Sequence, residues 1–142
     1  MTAIPDSVRS VIEAGRLATL VTLNRDGSPQ ATVVWVGLDG DEIVSAHLAM
    51  HQKVQNVRRD ARVALSITTD KLSASGLTEY LVVYGHASIT EGGAPELLQR
   101  LAYTYVGAGV KFPPMDDPPA GYVTRIAPDR YGGVGPWTSR QH

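Results

Sequence analysis

Two tight-turn signals lie close together in the first third of the chain, each between runs rich in β-branched residues. RLATLVTLN and QATVVWVGL flank NRDGSP, and Asp39-Gly40-Asp41 separates the second run from EIVSAH. Asp-Gly pairs are favoured where a hairpin needs positive φ, and Gly, Pro, Asn, Asp and Ser accommodate reversals. Connections this short return a chain antiparallel, because a parallel crossover needs a dozen or more residues. The spacing therefore predicts a β-hairpin over Arg16 to Leu38 and a third strand from Glu42, the three forming a meander.

Ahead of the hairpin, Ile4, Val8, Val11 and Ile12 recur at helical spacing, with Pro5 and Asp6 suited to a helix start and Gly15 to its stop. Asp41 to Thr69 reads as a strand, a turn, a short helix and a second strand, ARVALSITT. DKLSASGLT is polar enough for a loop, and EYLVVYGHASIT alternates as a long strand in which Gly85 marks a bend or bulge. The period then changes, and Leu97, Leu98, Leu101 and Tyr105 share one face of a helix expected over Ala94 to Tyr105. GAGVKFPPMDDPPAG is a Gly/Pro-rich loop, and YVTRIAPDRYGGV returns to strand character. The order β-β-β-α-β-β-α-β argues for a mainly β fold with helices (α+β), a barrel of about six antiparallel strands in one domain over residues 1–142.

Composition narrows the function classes. A net charge of -1 argues against a nucleic-acid partner or a polybasic membrane surface. With no cysteine, disulfides, thiol catalysis and cysteine-ligated metals are excluded. No apolar run approaches the ~20 residues that span a bilayer, and no basic-then-apolar leader opens the sequence, so the expectation is a soluble cytoplasmic protein.

The candidate chemistry centres on Lys53, the only lysine among the first seventy residues. In the first turn of a helix, beside His51 and Gln52, it joins a point charge to the free N–H groups that favour phosphate. By charge and spacing alone, a surface lysine at a helix start is the favoured reading. Val54 and Val57 are placed to pack, with Lys53 and Asn56 turned outward. Arg58, Arg59 and Arg62 suit either an anionic ligand or a solvated helix end, Arg58 being the better placed ligand. His47 and His51 are four apart, but His47 ends a strand and no acidic partner falls at helical spacing, which argues against metal. His86 reads as a hydrogen-bonded strand histidine. Trp35 reads as core or interface, and Trp137 as either a pocket cover or a tail anchor, with Gly132, Gly133 and Gly135 permitting close backbone approach. No nucleophile elbow, Walker A loop or zincin motif occurs, a pattern that suits chemistry carried by a cofactor.

Taken together, RLATLVTLNRDGSPQATVVWV, KVQNVRRDARVAL and YLVVYGHASIT resemble the split β-barrel superfamily of flavin- and deazaflavin-binding proteins typified by pyridoxamine 5′-phosphate oxidase. The ending RYGGVGPW and the pattern K-x-x-N-x-R-R-D further resemble F420-dependent reductases of the B type. The resemblance implies a homodimer with a cofactor site at each end of the subunit interface. It implies that Lys53 meets the cofactor phosphate, that Met50, His51 and Gln52 line the turn, and that Thr32, Val34, Trp35, Ser45 and His47 flank the ring system, with Asn56, Arg58 and Trp137 as further cofactor residues. Arg58 and Arg62 are the expected partners of an oligoglutamate tail.

The expected cofactor is coenzyme F420, with FMN as the alternative, and the expected reaction is hydride transfer to an enone- or quinone-like small molecule. A non-enzymatic flavin-, deazaflavin- or haem-binding role is the third reading. Tyr131 is the candidate proton donor, and Gly107 to Gly121 the candidate substrate-facing loop. Two departures weaken vitamin B6 oxidation. His51 and Gln52 stand where a serine-arginine pair precedes the lysine in the oxidase, and GVGPWTSRQH replaces its arginine- and histidine-bearing C-terminal motif.

Overall fold

Alternation and turn chemistry resolve into seven strands and three helices in a computed structural model that describes residues 3–138. The helices are α1 (Asp6–Ile12), α2 (Gln52–Arg59) and α3 (Ala94–Tyr105), and a 3-10 turn, Pro136–Thr138, follows the last strand. The strands are β1 (Ala18–Leu23), β2 (Pro29–Val34), β3 (Gly37–Asp39), β4 (Glu42–His47), β5 (Arg62–Leu72), β6 (Thr78–Glu91) and β7 (Tyr122–Val134). All ladders are antiparallel, in the order β2-β1-β5-β6-β7-β4-β3.

The strand expected over Gln30 to Leu38 is two strands, and the meander is broken accordingly. β2 pairs with β1 at one edge of the sheet, β3 pairs with β4 at the other, and only Trp35 and Val36 lie between them. Three Cα steps bridge at most about 11 Å. A flat sheet of seven strands would hold its edges roughly 29 Å apart. The sheet must therefore curl until its edges approach, and no β2–β3 ladder closes it among the described residues. The result is a split barrel.

Its interior takes one side of the alternation. Ala18 and Leu20 of β1, Leu65 and Ile67 of β5, Leu81 and Val83 of β6, and Ile43 and Ile126 form the core, and α1 buries Val8 and Ile12 against them after Ile4. Helix α1 starts as the sequence suggested: Pro5 is the extended N-cap, and Gly15 has φ +76°. The segment expected as a loop after Thr69 is a loop only over Ser73 to Leu77, its ends being strand. β5 continues to Leu72, where the register shifts and Leu72 pairs with Thr78, and Thr69 Oγ1 donates to the Glu79 carbonyl at 2.8 Å. Cross-strand pairing overrides the polar composition there.

Gly85 sits where a bulge is required. Tyr84 pairs with Arg130 but Gly85 with Pro128, which leaves Asp129 as the extra residue, and its carboxylate meets His86 Nδ1 at 2.5 Å. A Cβ on Gly85 would stand 2.5 Å from the Ala127 carbonyl oxygen. Gly85→Ala is expected to lower stability by about 1–3 kcal/mol in equilibrium urea unfolding. An unchanged midpoint would show that the bulge relaxes freely.

Candidate functional site

The split positions the site. Ser45, Ala46 and His47 at the end of β4 pair with Thr124, Val123 and Tyr122 of β7 on one side, but lie beyond the reach of the three-residue β3 on the other. That gap is the floor of an open groove of about 440 Å³. Val33, Val34 and Trp35 border it from the β2 end, His51 and Lys53 from the start of α2, and Leu98 and Phe112 from α3 and the loop after it.

The bridge between the edges is held firmly. Ser45 Oγ donates to the Trp35 carbonyl at 2.8 Å, and Tyr105 accepts from the Val36 N–H at 3.0 Å while lying within reach of the Arg16 and Val36 carbonyls. The Trp35 ring stacks on Tyr105 at 5.3 Å and meets Phe112 at 5.2 Å, tilted by 54°.

The polar part of the lining is cationic or neutral. His47 is buried, with Nε2 and Thr124 Oγ1 2.9 Å apart, and its ring lies 6.4 Å from that of His51. Burial, reinforced by the charge of Lys53 and by His51, holds its pKa down at about 3, so it is neutral at physiological pH. Partial burial also holds the Lys53 ammonium below the usual lysine value. Among the described residues Lys53 has no carboxylate partner. The first intrahelical bond of α2 is made by the Val54 N–H to the His51 carbonyl, which leaves the N–H groups of Gln52 and Lys53 ahead of it.

Of the residues singled out in the sequence, the groove gathers Val34, Trp35, Ser45, His47, His51 and Lys53. Met50 is partly exposed in the turn before α2. Thr32 turns a buried Oγ1 into the structure, where it has no protein partner among the described residues. Gln52 borders a separate shallow depression with Asn24, Arg25, Asp26 and Gln30.

Asn56 departs from the outward orientation expected of it. It is fully buried, its Nδ2 donating to Thr22 Oγ1 and Asn24 Oδ1 at 3.0 Å each, its Oδ1 accepting from Gln52 and Arg59. A satisfied amide can share the buried face with Val54 and Val57 where an unpaired one could not. Arg58 pairs with Glu91 at 3.2 Å and lies over the Tyr122 ring, and Arg62 pairs with Asp60 at 2.7 Å. Trp137 borders a smaller cavity of about 170 Å³ with Ser7, Ser10 and Val11 of α1, its indole N–H donating to the Gly132 carbonyl. Tyr131 packs against the core, where burial and the nearby Asp41 carboxylate raise its pKa.

Leu17, Val33, Ala46, Leu48 and Leu98 line the groove without having been named as site residues, and Phe112 does so from the loop Gly107 to Gly121 that was expected to face the substrate. Only Phe112 carried a signal, as the single phenylalanine of the chain set in a Gly/Pro-rich loop.

An antiparallel sheet of seven strands, curled until its edges nearly meet and left open between them, is a split β-barrel. A family model for pyridoxamine 5′-phosphate oxidase matches residues 4–134, and the chain belongs to that family of flavin-related oxidoreductases. Similar solved structures include an F420 reductase, 24% identical, with 91% of this chain and 98% of that one covered at a TM-score of 0.69. The conserved hypothetical protein Rv2991 from Mycobacterium tuberculosis is 23% identical, with 100% and 95% covered and a TM-score of 0.68. HupZ from Group A Streptococcus is 18% identical, with 89% and 91% covered and a TM-score of 0.60. At these identities the likeness is one of fold. No curated protein matches the chain, and no helix of the described residues is long and apolar enough to cross a membrane.

The buried neutral state of His47 has a measurable consequence. Below about pH 6.5 the unfolded chain takes up a proton that the folded one refuses until about pH 3. This contribution to stability is complete above pH 6.5 and falls by about 1.4 kcal/mol per pH unit as the solution is acidified below it. In urea unfolding between pH 7 and pH 4, His47→Asn is expected to lose stability with acid less steeply than the parent. Identical slopes would mean that His47 titrates normally.

Proposed function

We propose that the protein is an F420-dependent reductase that delivers a hydride to an activated C=C of an enone- or quinone-like small molecule. The observation that carries this reading is Lys53, partly buried, without a carboxylate partner among the described residues, at an apolar groove in a flavin-type barrel. A partly desolvated ammonium is stabilised by a bound anion, and a cofactor phosphate supplies one. Lys53 and the N–H groups of Gln52 and Lys53 would hold the phosphate. Val33, Val34 and Trp35 would flank the ring system, and Ser45 and His47 offer polar atoms beside it.

When bound, reduced deazaflavin supplies the hydride. The protein's own contribution is to fix the acceptor beside the ring and to exclude water from the apolar walls. Tyr131 lies outside the groove lining, which leaves the proton that accompanies the hydride to solvent. Likeness in fold to an F420 reductase supports F420, and the absence of an arginine at His51 and Gln52 weighs against a phosphate site of the oxidase kind.

A homodimer is part of the proposal. On the face of the sheet opposite the core, the cross-strand rows Val33–Thr19–Ser66–Val82 and Ala31–Val21–Ala64–Tyr84 contain no charged side chain up to Arg130 of β7, which lies over the Tyr84 ring. Leu17 and Val33, at the rim of the groove, are 60% and 62% exposed. A second copy on this face would cover both the rows and the open side of the groove.

Fluorescence titration with F420 and with FMN tests the assignment. Lys53→Ala is expected to weaken F420 binding about 10- to 100-fold, the worth of one charge-assisted contact. Unchanged affinity would refute the phosphate site, and tighter binding of FMN than of F420 would transfer the protein to flavin chemistry. In sedimentation, Val33→Glu is expected to convert a dimer to a monomer that binds F420 at least about tenfold more weakly. A parent protein that sediments as a monomer would remove the dimer from the proposal.

A further inference from the structure

The ionisable residues of the groove lining are Lys53, His51 and His47, and the lining also holds an uncharged cluster in which Trp35 meets Phe112, with Leu17, Val33 and Leu98 among the other apolar residues. Phe112 belongs to the loop between α3 and β7, where neither helix nor strand holds a side chain in place. Gln99 does so instead. Its Nε2 donates to the Val110 carbonyl at 2.7 Å, and its Oε1 accepts from the Phe112 N–H at 3.0 Å.

One side chain on α3 thus spans Lys111 and binds the loop on both sides of it, while the Lys111 ammonium turns to Asp116 at 3.2 Å. With the backbone fixed at Val110 and Phe112, the Phe112 ring is set against Trp35, and Trp35 against Tyr105. The row Tyr105–Trp35–Phe112 is anchored at one end by the bonds of Tyr105 to the Arg16 and Val36 backbone and at the other by Gln99.

We propose that Gln99 and Phe112 set acceptor selectivity: Gln99 positions Phe112 against Trp35, and the resulting wall favours a flat, uncharged, conjugated acceptor of the quinone or aryl-enone class. Aromatic walls gain from tilted and offset contact with a flat ring. The same cluster offers no partner to a charged substituent, whose desolvation would go uncompensated. The inference rests on the reductase reading of the groove. The acceptor gains a hydride from reduced F420 and a proton from water, and leaves as the quinol or saturated ketone while the cofactor is oxidised. Phe112 touches the acceptor, and Gln99 acts through it.

The test compares Phe112→Ala, Gln99→Ala and Gln99→Glu on 2-methyl-1,4-naphthoquinone and on the compact 2-cyclohexen-1-one. Both alanine variants are expected to raise KM for the naphthoquinone about tenfold, with KM for cyclohexenone and affinity for F420 within about twofold of the parent. Gln99→Glu keeps the acceptor for the Phe112 N–H and loses the donor to Val110, so an intermediate rise is expected.

Equal losses on both acceptors would overturn the proposal and make the pair a packing feature. A parallel fall in F420 affinity would overturn it by giving Phe112 to the cofactor. Calorimetric titration with the naphthoquinone, without turnover, provides an independent arm. Weakening of about tenfold in both alanine variants supports the proposal, and binding indifferent to both overturns it. Failure of the reductase reading would appear separately, as quinone binding that responds to the variants in a protein that does not turn over with reduced F420.

Discussion

Trp35 and Val36 carry the chain from one edge of the sheet to the other, and most of the molecule's shape follows from how short that span is. Because two residues cannot cover the width of seven flat strands, the sheet curls, and because β3 has only three residues the curl does not close. The bridge is correspondingly well secured, by Tyr105 on Val36 and Ser45 on Trp35. Gly37, immediately beyond it, lies so close to α3 that a Cβ there would stand 2.8 Å from Leu101 Cδ2. The same contact that seats α3 against the bridge brings Leu98 and the Gln99-held loop to the groove. Fold and site therefore share one constraint.

Within the groove, burial decides protonation. His47 is tied to Thr124 and faces the charge of Lys53, so its neutral form is favoured, and it adds no positive charge to the lysine. Lys53 is desolvated yet retains solvent on one side. An unpaired cation in that position is tolerable in the free protein and gains when an anion arrives. A fully buried lysine would have shed its proton, and a fully exposed one would bind weakly through screened charge.

Much of this was legible in the residues, and the failures share a cause. α3 over Ala94–Tyr105 and β7 over Tyr122–Val134 follow from periodicity bounded by Gly and Pro, and the bulge at Gly85 from a glycine inside an alternating run. The break in TVVWVGLD was not legible, because an apolar run carries no mark of where its pairing partner changes. The strand from Asp70 to Leu72 was hidden by polar composition that a hairpin pairing overrides. The loop Gly107 to Gly121 was marked as substrate-facing, but Phe112 could not be singled out within it, because its position depends on the hydrogen bond its N–H donates to Gln99, thirteen residues away. In each case a tertiary contact, invisible to local pattern, made the choice.

The pattern K-x-x-N also acquires a different meaning. Read as a ligand motif, Lys53 and Asn56 both faced outward; in the structure Asn56 is the anchor that seats α2 on the β1–β2 hairpin through Thr22 and Asn24. Residues three apart share a helix face. Once Asn56 is buried, Lys53 one turn earlier cannot project freely into water, and its partial burial follows from the anchor. A substitution at Asn56 would thus reach the cation only by shifting the helix, whereas one at Lys53 removes the charge and leaves the helix seated. Of the two conspicuous polar residues in this segment, one holds the fold and the other is left available to a ligand.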